Sequence, residues 1–163
     1  MSTRCRIGIQ NEDGTITSIY CHHDGYISYV GKCLVDFYPD EPTIRKLMEL
    51  GDMSSIGTKP VDNPTAWKDP DASAHFNGTW QEKYRQLHPE DKCDTYASRG
   101  ETCPAVTHKD VKEYQKYSRD CWGEYTYLFK NGDWYVLEYD DADLKKVKDT
   151  KEYKNSTYFK VTN

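Results

Sequence analysis

Hydrophobic residues recur along this chain with two different periods, and the switches between them mark its elements. From Arg4 to Gln10, Cys5, Ile7 and Ile9 alternate with other residues. Ile16 to Cys21 follows as a second short apolar stretch after the polar turn Asn11-Glu12-Asp13-Gly14-Thr15. A two-residue period puts successive side chains on opposite faces, so both stretches read as strands of a hairpin. Gly14 is free to take the positive φ that the turn demands. A three-residue loop, Glu12-Asp13-Gly14, sets Ile9 opposite Thr17, Ile7 opposite Ile19 and Cys5 opposite Cys21. A two-residue loop would slip the register by one and swap the faces. The longer loop is preferred because it brings Ile7 and Ile19 together.

The period then changes. Tyr26, Ile27, Val30, Leu34, Phe37 and Tyr38 fall at helical spacing, with Asp24 placed as an N-cap and Pro39 as the stop. Gly31 inside this helix costs roughly 1 kcal/mol relative to Ala, which points to close packing against the sheet. Glu41-Pro42 opens a second helix carrying Ile44, Leu47 and Met48, closed by Gly51. Residues 52–78 contain Pro60, Pro64 and Pro70 among small polar residues and read as a long irregular loop. Thr79-Trp80-Gln81-Glu82 is a capping box for a short helix bearing Trp80, Tyr84 and Leu87, stopped at His88-Pro89.

Cys93 to Ala97 predicts a strand, and Thr107 a cap for a helix over 108–118. Glu124 to Tyr139 gives the clearest hairpin, because Asn131-Gly132 is a type I′ signal. That turn sets Phe129 opposite Trp134, Tyr127 opposite Val136 and Tyr125 opposite Glu138. Both faces are apolar, so the hairpin is expected to be covered on both sides. Residues 142–147 predict a helical turn and 156–161 a last strand. The expected fold is α+β: a single domain, 1–163, with an antiparallel sheet of two or more hairpins and helices packed on it.

Composition narrows the function. The chain has 163 residues and a net charge of −5, with 13% aromatics and 14 tyrosines. Broad binding to extended nucleic acid needs a basic surface, which this balance disfavours. No apolar run approaches the length of a membrane span, and the N-terminus shows no secretory pattern, so the expected location is the cytoplasm. Six cysteines are then expected as free thiols. Oligomeric state is left open between a monomer and a homo-oligomer.

Ile19 to Tyr26 holds the candidate chemistry. A strand feeding a helix leaves free N–H groups at residues 24–27, and Arg4, Arg6, His22 and His23 lie close in any register. These four would neutralise phosphate, while Tyr20 or Tyr26 would stack on a base. Ser54, Ser55, Lys59 and Arg99 are loop contacts of second choice. The plain alternative is that Asp24 only caps and both histidines lie on the surface. Cys21, His22 and His23 are good metal ligands, but no two cysteines are two to four residues apart, so no metal site is assigned. Neighbouring strand residues point apart, so Cys21 and His22 make a poor catalytic pair. The segment 51–59 has the ingredients of a phosphate loop without the spacing. No cofactor is expected.

Ser2-Thr3-Arg4, the Asp13-Gly14-Thr15 turn, Ile19-Tyr20-Cys21-His22-x-Asp24-Gly25-Tyr26, Gly31, and Leu50-Gly51-Asp52-x-Ser54-Ser55 together resemble a group of small proteins encoded by bacteriophages and mobile elements. The likeness covers about the first third of the chain, with fainter echoes at 98–101 and in the Asn131-Gly132 hairpin. It departs at His23, where the group is expected to carry an aromatic residue, so it supports His22 over His23. No activity comes with it. The resemblance implies a context, counter-defence inside a host bacterial cell. The first expectation is therefore a non-catalytic binding protein that sequesters a small anionic nucleotide-type immune signal. The alternatives are an acidic inhibitor docking on a host nuclease or other defence protein, in the manner of anti-CRISPR proteins, and a small Cys/His enzyme.

Overall fold

The computed structural model describes residues 2–68 and 78–159. Its fold is α+β, built on one mostly antiparallel eight-stranded sheet. The strands are β1 (Cys5–Gln10), β2 (Ile16–Cys21), β3 (Met53–Ser55), β4 (Asp94–Thr95), β5 (Val106–His108), β6 (Tyr125–Lys130), β7 (Asp133–Glu138) and β8 (Lys145–Lys146). The helices are α1 (Lys32–Phe37), α2 (Glu41–Glu49), α3 (Trp80–Leu87), α4 (Val111–Asp120) and α5 (Lys151–Lys154). The strand order is β4-β3-β2-β1-β6-β7-β8, with β5 added on the free edge of β2.

Both hairpins have the expected registers. In the first, Ile9 faces Thr17, Ile7 faces Ile19 and Cys5 faces Cys21. In the second, Phe129 faces Trp134, Tyr127 faces Val136 and Tyr125 faces Glu138, with Asn131 and Gly132 both at positive φ. The sheet is not wholly antiparallel. β1 runs parallel to β6, and β2 parallel to β3 where Cys21 meets Met53. The parallel join puts β1 in the middle of the sheet, which is why Cys5, Ile7 and Ile9 are all buried.

Two apolar layers result. The larger packs Ile7, Ile19, Tyr127, Trp134 and Val136 against Val30, Leu34, Ile44 and Leu47. The smaller packs Ile16 and Leu128 beneath Tyr114 of α4. The second hairpin is therefore covered on both faces, as its apolar pattern requires. Gly31 lies tight under Tyr127 and Val147, where a Cβ would come within 3.4 and 3.1 Å of their side chains.

Several local expectations differ from the structure. The helix expected from Asp24 begins instead as a π-helical turn, Ile27–Gly31, and only then becomes α1. Asp24 is not its cap. It takes a left-handed φ of 57°, and the capping position is Tyr26, which has no side-chain cap. The cause is tertiary: the chain must turn sharply so that Gly25 N–H reaches Thr3 O at 2.8 Å. A Cβ at Gly25 would sit 2.7 Å from that oxygen and 2.8 Å from Cys5 Cβ. Residues 52–78 are not wholly irregular, since β3 and a bridge from Asp62 to Cys93 lie within them; 69–77 fall outside the described residues. The strand over Cys93 to Ala97 shortens to β4. Asp110, not Thr107, caps α4, because Thr107 belongs to β5. Residues 142–147 contain β8 rather than a helical turn, and 156–159 form no strand, the rest of that expected strand lying outside the described residues.

Candidate functional site

One cleft of about 490 Å³ opens beside the β3–β4 end of the sheet. The backbone beneath it is pinned at several points. His22 and His23 extend the β2–β3 pairing by donating to Met53 O and Ser54 O at 3.1 and 2.9 Å. This sets His23 and Asp24 on the rim, next to Ser54 and Ser55 of β3. Gly57 N–H donates to Cys93 Sγ, and Tyr38 Oη donates to Gly57 O at 2.7 Å.

The opposite wall comes from the end of α3 and from β4. Asp94 accepts from Ser55 Oγ at 3.1 Å, from Asn63 Nδ2 at 2.7 Å and from His88 Nδ1 at 2.8 Å. A carboxylate holding Nδ1–H fixes the imidazole tautomer and leaves Nε2 as a lone-pair acceptor. That Nε2 has no hydrogen-bond partner among the described residues. Tyr84 packs against the His88 ring, centroids 4.2 Å apart and planes tilted by 32°. Its own ring is 45% exposed, and Trp67 is 37% exposed on the same cleft. Trp67 is held by its Nε1–H, which reaches Thr95 O and Ser98 Oγ, each at 2.9 Å. Arg99 lies 4.5 Å over its ring and pairs with Glu101. Charge in the cleft is mixed: Lys92 stands among Asp24, Glu90 and Asp94.

The structure separates the ten residues singled out in the sequence. His23, Ser54 and Ser55 meet in the cleft, and Arg99 stands behind its Trp67 wall. His22 has both ring nitrogens engaged, Nδ1 with Tyr20 Oη at 2.6 Å and Nε2 with Ser2 Oγ at 3.0 Å. Its proton affinity is lowered by burial and then by the neighbouring His23 and Arg4. Burial pushes the Tyr20 hydroxyl up to about 12. Arg6 is 3% exposed on the far face of the sheet, bonded to Ser18 and stacked 4.8 Å over Tyr117. Tyr26 joins Tyr29 and Tyr158 in an aromatic cluster. Lys59 is exposed, and among the described residues its carbonyl accepts from Val61 N–H at 2.8 Å and from Cys93 Sγ at 3.4 Å. Of the N–H groups expected to be free at 24–27, that of Gly25 is taken by Thr3 O at 2.8 Å.

Trp67, Tyr84, His88, Lys92 and Asp94 are cleft residues that sequence reasoning missed. The signal available was local: His88-Pro89 ends a capped helix five residues before Asp94. Cys21 donates its thiol to His23 O rather than pairing with an imidazole. Among the described residues no group of three or more His, Cys, Asp or Glu side chains is placed to hold a metal. No helix among them is long and apolar enough to cross a membrane. No protein-family model, curated protein or solved structure matches the chain.

Proposed function

We propose that this chain is a non-catalytic binding protein that sequesters a small nucleotide-type ligand in the cleft, on behalf of a bacteriophage countering defence in its host's cytoplasm. The carrying observation is the convergence of two exposed aromatic rings with an oriented, unpartnered imidazole nitrogen in one cleft. Trp67 or Tyr84 stacks on the base, a contact worth roughly 1–3 kcal/mol. His88 Nε2, His23 and the Ser54 hydroxyl read polar edges, and Lys92 meets phosphate. Three carboxylates against one lysine disfavour a polyphosphate, so the preferred ligand carries few charges. The phage setting rests on the resemblance of the first third of the chain.

The test is mass spectrometry of the denatured purified protein, followed by calorimetry with nucleoside monophosphates and cyclic nucleotides. A retained or titratable nucleotide is expected. Trp67→Ala and Tyr84→Ala should each weaken it about tenfold or more; Trp67→Ala should also lower the melting temperature, because it loses the hydrogen bonds to Thr95 and Ser98, so the more exposed Tyr84 gives the cleaner reading. If neither a retained nucleotide nor any titration is found, the reading fails.

A further inference from the structure

Trp122 is the most exposed large apolar side chain in the described structure, at 74%. Its backbone is also left-handed, with φ of 64°. It follows Cys121, the C-cap of α4, at the place where helices usually carry Gly. Gly123 stands one residue further on. The turn itself is closed by backbone alone: Trp122 N–H donates to Arg119 O at 2.9 Å, and Gly123 N–H to Ser118 O at 2.8 Å. Neither bond needs a side chain at 122. An L residue at positive φ is strained relative to glycine, and an indole left in water adds little to the core. Packing among the described residues explains neither feature.

A second aromatic lies at the same end of the molecule. Tyr139 is 51% exposed. Arg119 Nε donates to its carbonyl at 2.9 Å, with the guanidinium 5.8 Å over its ring. The β6–β7 pairing ends at Tyr125 and Glu138, so Glu124 and Tyr139 are the next residues of the two strands. Glu124 and Asp140 form no ion pair among the described residues, whereas Asp120 pairs with Lys116. This end of the molecule thus carries two exposed aromatics and two exposed carboxylates, Glu124 and Asp140, around Arg119, on a chain of net charge −5.

We propose that Trp122 and Tyr139 form a docking surface for a protein partner with a basic face. Trp122 enters an apolar pocket of that partner, and Glu124 and Asp140 meet Lys or Arg around it. Buried Trp anchors dominate binding energy, and complementary rims set partner choice. A second copy of this chain is a poor occupant, because its own acidic rim would be repelled. None of these four residues lines the cleft, so the surface stands independently of the ligand proposed there.

The experiment compares immobilised wild-type protein with Trp122→Gly in a bacterial cell lysate. Each species captured only by the wild type is identified, purified and titrated against both proteins and a Glu124→Lys, Asp140→Lys double variant. The expected partner is a basic protein whose affinity falls at least about tenfold with either change. Trp122→Gly should at the same time raise the melting temperature, since glycine relaxes the left-handed turn. A merely structural tryptophan would lower it. The proposal is overturned by a lowered melting temperature in Trp122→Gly, by equal affinity of the variants, or by a partner that is acidic. Self-association through Trp122 in sedimentation, or the absence of any Trp122-dependent basic protein, overturns it as well.

Discussion

His108 lies buried on the second face of the sheet, with Nε2 2.7 Å from Ser18 Oγ, the same hydroxyl that accepts from Arg6 Nε at 3.0 Å. Burial first, and the Arg6 charge second, lower its pKa from 6.5 to about 4. The folded state therefore favours neutral imidazole, while the unfolded chain takes up a proton near pH 6.5. Stability is full above that pH and is lost as the pH falls towards 4, because the unfolded state binds more protons. His108→Gln keeps a polar atom near Ser18 and cannot titrate. Urea unfolding at pH 7 and pH 5 should show a smaller acid-side loss in the variant; equal losses would remove His108 as the cause. Arg6 was legible as a cation on a strand, but its burial was not. Its neighbours His108 and Tyr117 arrive from about a hundred residues away, and no local pattern announces them.

At the level of elements, legibility followed length and local turn chemistry. Six-residue strands joined by Glu12-Asp13-Gly14 and Asn131-Gly132 carry their registers in the sequence, because turn type and apolar alternation agree. The Thr79–Glu82 capping box likewise depends on four adjacent residues, and both of its hydrogen bonds form. β4, β5 and β8 are two or three residues long, too short for any period, and exist only because a longer strand lies beside them. The Asp24 turn failed for the same reason, being set by Thr3 on a neighbouring segment. Gly25→Ala should therefore cost about 1–3 kcal/mol, as overpacking against backbone does, read as a lower urea midpoint. An unchanged midpoint would show that β1 yields freely. Tyr135 sits mid-strand in β7, between Leu128 and Lys146. Tyr135→Pro removes a ladder donor there and should leave no cooperative transition by circular dichroism.

Across the whole molecule the decisive contact is the parallel pairing of β1 with β6, which joins the N-terminal hairpin to one more than a hundred residues later. Neither hairpin's sequence encodes it. Once made, it buries both hairpins in one core: Cys5 and Cys21 lie in the same apolar layer as Tyr127 and Trp134. Cys93, buried between the cleft residues Lys92 and Asp94, belongs to that layer too. Stability should then be shared, with no part of the core opening ahead of the rest. The cysteines give a direct reading. All six are free; Cys5, Cys21, Cys33 and Cys93 are buried, while Cys103 and Cys121 are partly exposed. Burial also pushes the Cys5, Cys33 and Cys93 thiols up, which slows attack by the thiolate. Native protein mixed with an aromatic disulfide reagent should release two equivalents quickly. The remaining four should follow in one slow phase, at the rate of global unfolding seen by circular dichroism. Resolution of the slow phase into separate rates for Cys93 and for the Cys5–Cys21 pair would mean that the cleft wall opens independently of the sheet. A ligand in the cleft would then stabilise only that local unit. A single rate means that ligand binding protects all four thiols equally.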